Sequence, residues 1–496
     1  MDFVVSVSEM KEIEQYYFKK GIKSLDLMEL AGKNIFLEIK KRFPLKSTSF
    51  LIIAGKGGNG GDAFVLARYL WEDQYQVQVY FNETDTLLNE TRINKEKYKG
   101  EIISSITNDT YDVLVDGLYG IGLNKDLKEK DLMLIQTLNK MKGYKISIDI
   151  PTGINGDTGC ILKDYFHCDL CFAIQFKKRG HFLNDGLDAY KNLEVIDIQL
   201  KPSTNNLCKI ITQNDFYLLY KERKHNTNKG TYGRCIFIGG CKEMPGAILL
   251  SSYAFSALKV GCGYATLGIL KSLYDNYALR NLENTYILFK DKKGKIVYDE
   301  KTLKKILHYD VITIGMGLST SKEVYKILKY LCENFKNTLI IDADGLNTLS
   351  QYGIDILKAK QCKIILTPHL MEFSRLCEKS MNEVKQNTFQ LANDFVKNYD
   401  ITLILKSAVT LIMDKNQAYL NIMGSPALAK AGSGDVLAGI LSGMACFQHS
   451  NLALSGALAS YLLGACGIYA SKELGEYSVN ATDVINYIPK VLKNLI

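Results

Sequence analysis

The sequence predicts an α/β protein made of two doubly wound domains. Three observations carry that prediction. Short apolar runs rich in Val, Ile and Leu alternate with helical patterns along the chain, as parallel sheets covered on both faces require. At 496 residues the chain is too long for one hydrophobic core. The alternation pauses at a polar stretch, 198–210, and then begins again, which places a boundary near residue 205 and divides the chain into 1–205 and 206–496.

In chain order, the strand candidates of the first half are SFLIIAG (49–55), QVQVYF (76–81), YDVLVDG (111–117), KISIDIP (145–151), LCFAIQF (170–176) and NLEVIDI (192–198). Helical patterns such as GDAFVLARYLWED and KDLMLIQTLNKMKG lie between them. The second half repeats the scheme with RCIFIGG (234–240), DVITIGM (310–316), TLIIDADG (338–345), CKIILTPH (362–369) and ITLILKS (401–407). Pro245 is placed to begin a helix that Gly261 or Gly263 ends. The segment 452–470 is 19 residues without a charge, near the length of a bilayer span. Its Ala, Gly and Ser content, without flanking basic clusters or aromatic belts, predicts a buried helix instead. No membrane partner is expected.

The formal charge of +8 comes mostly from dispersed lysine. No basic tail and no arginine interleaved with aromatics are present, so no nucleic-acid partner is expected. The acidic residues in MDFVVSVSEMKEIEQ break any secretory signal, and the twelve scattered cysteines predict free thiols in a reducing cytoplasm. Cys168 and Cys171 form a CxxC, but both stand in an apolar strand-like run and no second pair follows at zinc-ligand spacing.

Three joints of the first half carry polar chemistry. AGKGGNGGDAFVLARYL follows a strand and opens a helix, and Gly55-x-Gly57-x-x-Gly60 has the spacing that lets backbone amides approach a pyrophosphate. Asp116 in VDGLYGIGL and Asp149 in SIDIPTGINGDTG end two further strands. Each acid alone reads as turn chemistry, since Asp before Gly or Pro is common there. In a doubly wound sheet, however, all three joints converge at the carboxyl ends of the strands.

GKGGNGGD, VDGLYGIGL and IDIPTGINGDTG resemble the signature segments of the NAD(P)H-hydrate epimerases, over roughly residues 5–200. The resemblance implies a Rossmann-like domain that interconverts the R and S forms of NADHX and NADPHX. It implies nucleotide contacts from Gly58, Asn59, Gly60, Gly61 and Asp62, and from the loop Gly120, Ile121, Gly122, Leu123, Asn124, Lys125 and Asp126. It further implies a potassium ion held by Asn59, Asp116 and Thr152, whose oxygens suit a hard cation. Asp149 would contact the hydrate as acid and base. Gly58 replaces the first of the family's paired asparagines, and Ala63 stands where glycine is common.

In the second half, AKAGSGDVLAG (429–439) sets Asp435 among Gly432, Ser433 and Gly434 at a helix start, where free N–H groups attract phosphate. A carboxylate beside a phosphate is costly unless it has a task such as taking a proton. GMGLS (315–319), IDADGLNTLS (341–350), LTPHLMEFSRL (366–376) and LKSAVTLIMD (405–414) accompany it. Singly, Asp342 and Asp344 read as turn residues and His369 as a capped core histidine. There is no Walker A motif, serine elbow or zinc-protease helix.

The set and its order resemble the ribokinase-like NAD(P)H-hydrate dehydratases, over roughly 210–496. The resemblance implies that Ala247, Gly317, His369 and Asp435 contact the hydrate, and that Lys406, Ser407, Ala408, Val409, Thr410 and Gly434 contact the nucleotide. ADP is the implied co-substrate, with magnesium bridging its phosphates. KSAVT, HLME and GMGLS depart from the family's usual Lys-Gly-Ala-Gly-Thr, Pro-Gly-Glu and Gly-Pro-Gly-Leu-Gly. The alternative is a small-molecule kinase of the same fold with a fused nucleotide-binding domain; it does not explain TPH. A nicotinamide dehydrogenase lacks the expected acid about twenty residues past the glycines. A silent scaffold does not account for Asp149 and Asp435 together. A cytoplasmic homo-oligomer is expected.

Overall fold

A computed structural model describes residues 2–82, 86–106, 110–202, 207–253, 259–279, 282–446 and 451–496. The chain forms two compact units, Met1–Leu207 and Cys208–Ile496. The expected boundary at residue 205 lies outside the described residues.

The strands of the first unit are β1 (Phe3–Val5), β2 (Ser49–Ala54), β3 (Gln76–Tyr80), β4 (Glu101–Ile103), β5 (Thr110–Gly117), β6 (Lys142–Ile148), β7 (Cys168–Ile174), β8 (Lys177–Lys178) and β9 (Tyr190–Ile196). Seven of them form a parallel sheet in the order β4-β3-β2-β5-β6-β7-β9. Strands β1 and β8 pair in parallel. The strand order reverses between β2 and β5, so the loops after those two strands open the crevice where open α/β sheets take ligands. Phe50 and Ile52 of β2 are buried in one apolar cluster, and Leu51 and Ile53 in another. Burial on both faces is why this strand reads as a continuous apolar run.

In the second unit the strands are β10 (Cys208–Ile210), β11 (Arg234–Ile238), β12 (Tyr264–Leu270), β13 (Thr285–Phe289), β14 (Asp291–Lys292), β15 (Lys295–Ile296), β16 (Val311–Ile314), β17 (Thr338–Ile341), β18 (Lys363–Leu366), β19 (Thr402–Leu405), β20 (Thr410–Met413) and β21 (Ala418–Asn421). Their main order is β13-β12-β11-β16-β17-β18-β19-β20-β21-β10. From β13 to β19 every pairing is parallel, with the switch between β11 and β16. The sequence suggested parallel pairing throughout, but β19-β20-β21 are antiparallel. Segments 406–409 and 414–417 are too short for a crossover, so each strand folds back on the one before it.

The helix Leu452–Leu474 has the length and apolarity of a bilayer span, yet 89% of its apolar window is buried within the unit. It packs among the helices Ser433–Ala445 and Ala481–Leu495. All twelve cysteines are free. Cys168 and Cys171 lie buried in β7.

Candidate functional site

The glycine-rich joint after β2 is shaped by close backbone packing. A Cβ on Gly55 would come within 1.8 Å of the Leu118 carbonyl oxygen, and one on Gly60 equally close to that of Gly55. Only glycine lets the loops after β2 and β5 meet there. The helix Gly58–Glu72 starts on this joint and aims its first N–H groups at the crevice. A cavity of about 540 Å³ opens on the joint, lined by Gly57, Gly58, Asn59, Asp62, Gly120, Ile121, Gly122, Leu123, Asp149 and Lys178, with Glu14 from the helix Val7–Lys19. Of the expected contacts, Gly60 and Gly61 are buried behind this surface, and Asn124, Lys125 and Asp126 are exposed outside the cavity lining.

Asp149 follows β6 with φ of 67°, a left-handed conformation that costs a non-glycine residue on the order of 1 kcal/mol. Its carboxylate accepts the Ile174 N–H at 3.2 Å and is ion-paired with Lys178. The Lys178 ammonium is fully buried and also donates to the Ile174 carbonyl at 2.8 Å. His181 accepts the Lys178 N–H on Nδ1 and meets the Asp149 carbonyl through Nε2 at 2.9 Å, which places its proton on Nε2. Burial, with Lys178 nearby, lowers the His181 pKa to about 4, so the ring is neutral. Burial and the Asp149 charge raise Asp62 well above the ordinary carboxylate range and raise Glu14 as well. Asp149, Asp62 and Glu14 thus share the crevice with the buried Lys178. Lys178, His181 and Glu14 were not found by sequence reasoning.

Asp116 ends β5 and is fully buried. It accepts hydrogen bonds from Thr152 N at 2.8 Å, Thr152 Oγ1 at 2.7 Å, Ser147 Oγ at 3.1 Å and Leu118 N at 3.2 Å. Among the described residues no cationic side chain is ion-paired with it, and burial raises its pKa. Thr152 Oγ1 and Asn59 Nδ2 meet at the Tyr119 carbonyl, at 3.4 and 3.0 Å. Asn59, Asp116 and Thr152 therefore share one oxygen-rich corner that has negative charge but no paired cation. A hard cation fits that donor set.

In the second unit the strand ends line up in sheet order. Gly317 follows β16, Asp342 follows β17, His369 follows β18 and Lys406 follows β19. A Cβ on Gly317 (φ 61°) would crowd the Met244 carbonyl at 2.8 Å and the Ala247 methyl at 2.9 Å, so Gly317 and Ala247 are in contact. Ser319 stands where the resembling family has glycine and adopts φ of 58°. Its N–H donates to Asp344 at 2.8 Å, while its buried hydroxyl has no partner among the described residues.

Lys406 pairs with Asp342 at 2.9 Å, and Thr367 donates to the same carboxylate oxygen at 2.7 Å. Burial works against the Lys406 charge, but Asp342 and Glu372 outweigh it and hold its pKa above normal. Gly432 (φ 97°) caps the helix Ser433–Ala445, which carries Asp435 in its first turn. Burial first, then the Asp342 charge, raises Asp435 to about 7, opposed by Lys406. That value suits a group that must gain and lose a proton near neutrality.

The expected nucleotide stretch is divided. Ser407 and Ala408 are exposed, and Thr410 opens β20. Val409 is buried, so it can offer a ligand only its backbone. His369 is the N-cap of the helix Leu370–Cys377 rather than a core residue, with its side chain 53% exposed. Its Nδ1 accepts the Met371 and Glu372 N–H groups, both at 3.2 Å.

Fold and site together define a class: an α/β protein of two doubly wound units, the first with a crevice at its topological switch point and the second with a row of polar strand ends, each with a buried or half-buried carboxylate near a glycine-rich helix start. Comparison with known proteins makes this specific. The NAD(P)H-hydrate dehydratase family model matches residues 235–490, and that of the YjeF-related protein N-terminus matches 24–180. The bifunctional NAD(P)H-hydrate repair enzyme of Dictyoglomus turgidum is 30% identical over 515 residues, covering 99% of each chain. That of Thermofilum pendens is 29% identical, covering 99% of this chain and 96% of its own. The chain belongs to the bifunctional NAD(P)H-hydrate repair enzyme family. Among solved structures, the ADP/ATP-dependent NAD(P)H-hydrate dehydratase of Bacillus subtilis, co-crystallised with ATP and Mg2+, aligns with a TM-score of 0.50 at 26% identity. It covers 58% of this chain and 99% of its own. A Streptococcus mutans protein aligns with a TM-score of 0.51, also at 26% identity, covering 58% of this chain and 99% of its own.

Proposed function

We propose that the first unit epimerises R- and S-NADHX and NADPHX, and that the second dehydrates the S form to NAD(P)H in the cytoplasm, using ADP and releasing AMP and phosphate. The observation that carries this reading is Asp435, poised near pH 7 on the glycine turn of a helix N-terminus. The hydrate hydroxyl is a poor leaving group. Asp435 takes its proton as the oxygen attacks the β-phosphate of ADP, and the Gly432–Gly434 amides face the charge that develops. Phosphate then departs with the carbon–oxygen electron pair, a proton leaves the neighbouring ring carbon to solvent, and the dihydronicotinamide double bond returns. Lys406, beside Gly434, is held by Asp342 where it can meet a phosphate. Ala247, Gly317 and the unpartnered Ser319 hydroxyl line the hydrate side. Magnesium bound with the nucleotide would neutralise phosphate charge. The test is incubation with NADHX epimers and ADP while NADH absorbance is followed; no NADH formed from either epimer overturns the reading.

In the first unit Asp149 acts as acid and base at the hydrate's ring hydroxyl, giving a proton as the carbon–oxygen bond opens and taking one from the water that re-adds on the other face, and Lys178 orients it. The corner of Asn59, Asp116 and Thr152 would hold potassium, which supplies a fixed positive charge beneath the nucleotide loop. Crystals grown with thallium(I) in place of potassium are expected to show an anomalous peak within ligand distance of Asp116 and Thr152. A peak elsewhere, or none, removes the potassium assignment.

The activities separate by unit. A truncated protein ending at Leu207 retains the whole β4–β9 sheet and is expected to fold and epimerise without dehydrating. If it folds by circular dichroism yet leaves the epimers unexchanged, the assignment of epimerisation to this unit is wrong. The protein acts as a homo-oligomer, which sedimentation velocity tests directly.

A further inference from the structure

The second unit contains a side-chain cluster that none of this chemistry uses. Cys235 is the second residue of β11, Cys262 lies in the turn before β12, and Cys446 caps the C-terminal end of the helix Ser433–Ala445. The Cys262 sulfur stands 3.8 Å from that of Cys235 and 3.7 Å from that of Cys446. All three sulfurs lie within 4.8 Å of one another, and all three residues are buried. Gly233, at φ of 78°, permits the approach, since a Cβ there would stand 2.7 Å from the Cys446 Cβ. We propose that Cys235, Cys262 and Cys446 bind one thiophilic d10 cation, zinc(II) or copper(I), at the opposite end of that helix from Asp435.

Spacing and residue type support this independently. Sulfurs at the zinc–thiolate distance of about 2.3 Å stand about 3.8 Å apart in a tetrahedral site, close to the two separations here. An all-sulfur donor set selects soft cations over magnesium or calcium. Loading is a proton exchange without redox change: three thiols lose three protons and three metal–sulfur bonds form. Zinc leaves a net charge of −1 on the cluster and copper(I) −2, so burial favours zinc. The fourth tetrahedral position falls to water or to a carbonyl such as that of Gly233, 3.4 Å from the Cys262 sulfur. The ion would fasten β11, the entry to β12 and the C-terminal end of the helix whose first turn carries the catalytic carboxylate. Thiols at these distances also pack as small apolar groups, and that reading predicts no metal affinity.

The test uses the full-length protein, freed of metal under a reductant. Cobalt(II) serves as the spectroscopic probe, zinc(II) is titrated against a chromophoric chelator and copper(I) against a copper(I) indicator. The expected result is one equivalent bound with sulfur-to-cobalt charge-transfer absorption, together with a higher Tm. Cys235→Ser and Cys446→Ser should each cut affinity at least about 100-fold, and Cys332→Ala should not change it. X-ray absorption of the zinc-loaded wild type should show three sulfur neighbours, a measurement that does not depend on any variant folding. Tighter binding of copper(I) than zinc(II) assigns the site to copper. Absence of stoichiometric binding of either metal, or a zinc shell with fewer than three sulfurs, overturns the proposal.

Discussion

Asp435→Asn is expected to lower ADP-driven recovery of NADH by about 10²–10⁴-fold, the usual worth of a positioned general base. Asn keeps the size of the side chain and its place in the first turn of the helix Ser433–Ala445, so ADP affinity should persist. Epimerisation should be unchanged, because Asp149 belongs to the other unit. The wild-type pH profile provides a second readout. The Asp435 carboxyl titrates at about 7, and only its ionised form accepts a proton, so dehydration should rise through about pH 7 to a plateau. The stability contribution runs the other way. The folded-state pKa is raised above the unfolded one, so the native chain holds this proton to higher pH. The contribution is fully present below the unfolded pKa and is lost as pH rises through about 7. Near wild-type turnover of Asp435→Asn, with Asn acting as an equally good helix-end residue, would demote Asp435 to a structural role.

Asp149→Asn should abolish epimerisation to a similar extent while sparing dehydration. It also removes the counter-charge of a lysine that is 1% exposed. Breaking a buried pair by removing one partner costs roughly 3–5 kcal/mol, so stability must be separated from chemistry. The double variant Asp149→Asn/Lys178→Met removes both charges and is expected to recover most of the lost stability but none of the activity. Lys178→Met alone should retain some activity, with a greater fall in turnover than in substrate affinity if the lysine orients Asp149. If the double variant epimerises at the wild-type rate, neither group moves the proton and the crevice acts through the nucleotide loops alone.

How much of each site could be read in advance follows from how local its cause is. The glycine turns were legible because their requirements lie in the backbone. Gly55 and Gly60 are needed where two loops touch, and Gly432 where the chain turns at φ of 97°. Asp116, Asp149 and Asp435 were legible because each sits one step from such a turn at a strand end or helix start. Lys178, His181 and Glu14 were not. Glu14 reads as one of many charges on the amphipathic helix Val7–Lys19, and nothing local shows that it faces the cavity. Lys178 lies 29 residues from Asp149, and only the packing of β7 and β8 brings the pair together.

The sequence alone determined the alternation that builds two parallel sheets, the turns that shape their carboxyl ends, and the burial of the uncharged segment 452–470, whose small residues pack against a sheet. Tertiary structure decided what depends on distance between remote segments. It set the antiparallel edge β19-β20-β21, the burial of Asp116 among hydrogen-bond donors, the raised pKa of Asp435 and the meeting of Cys235, Cys262 and Cys446. The physical reason is range. Periodicity and turn preference act over a few residues, whereas desolvation and Coulomb interaction act through space between groups that the folded chain brings together.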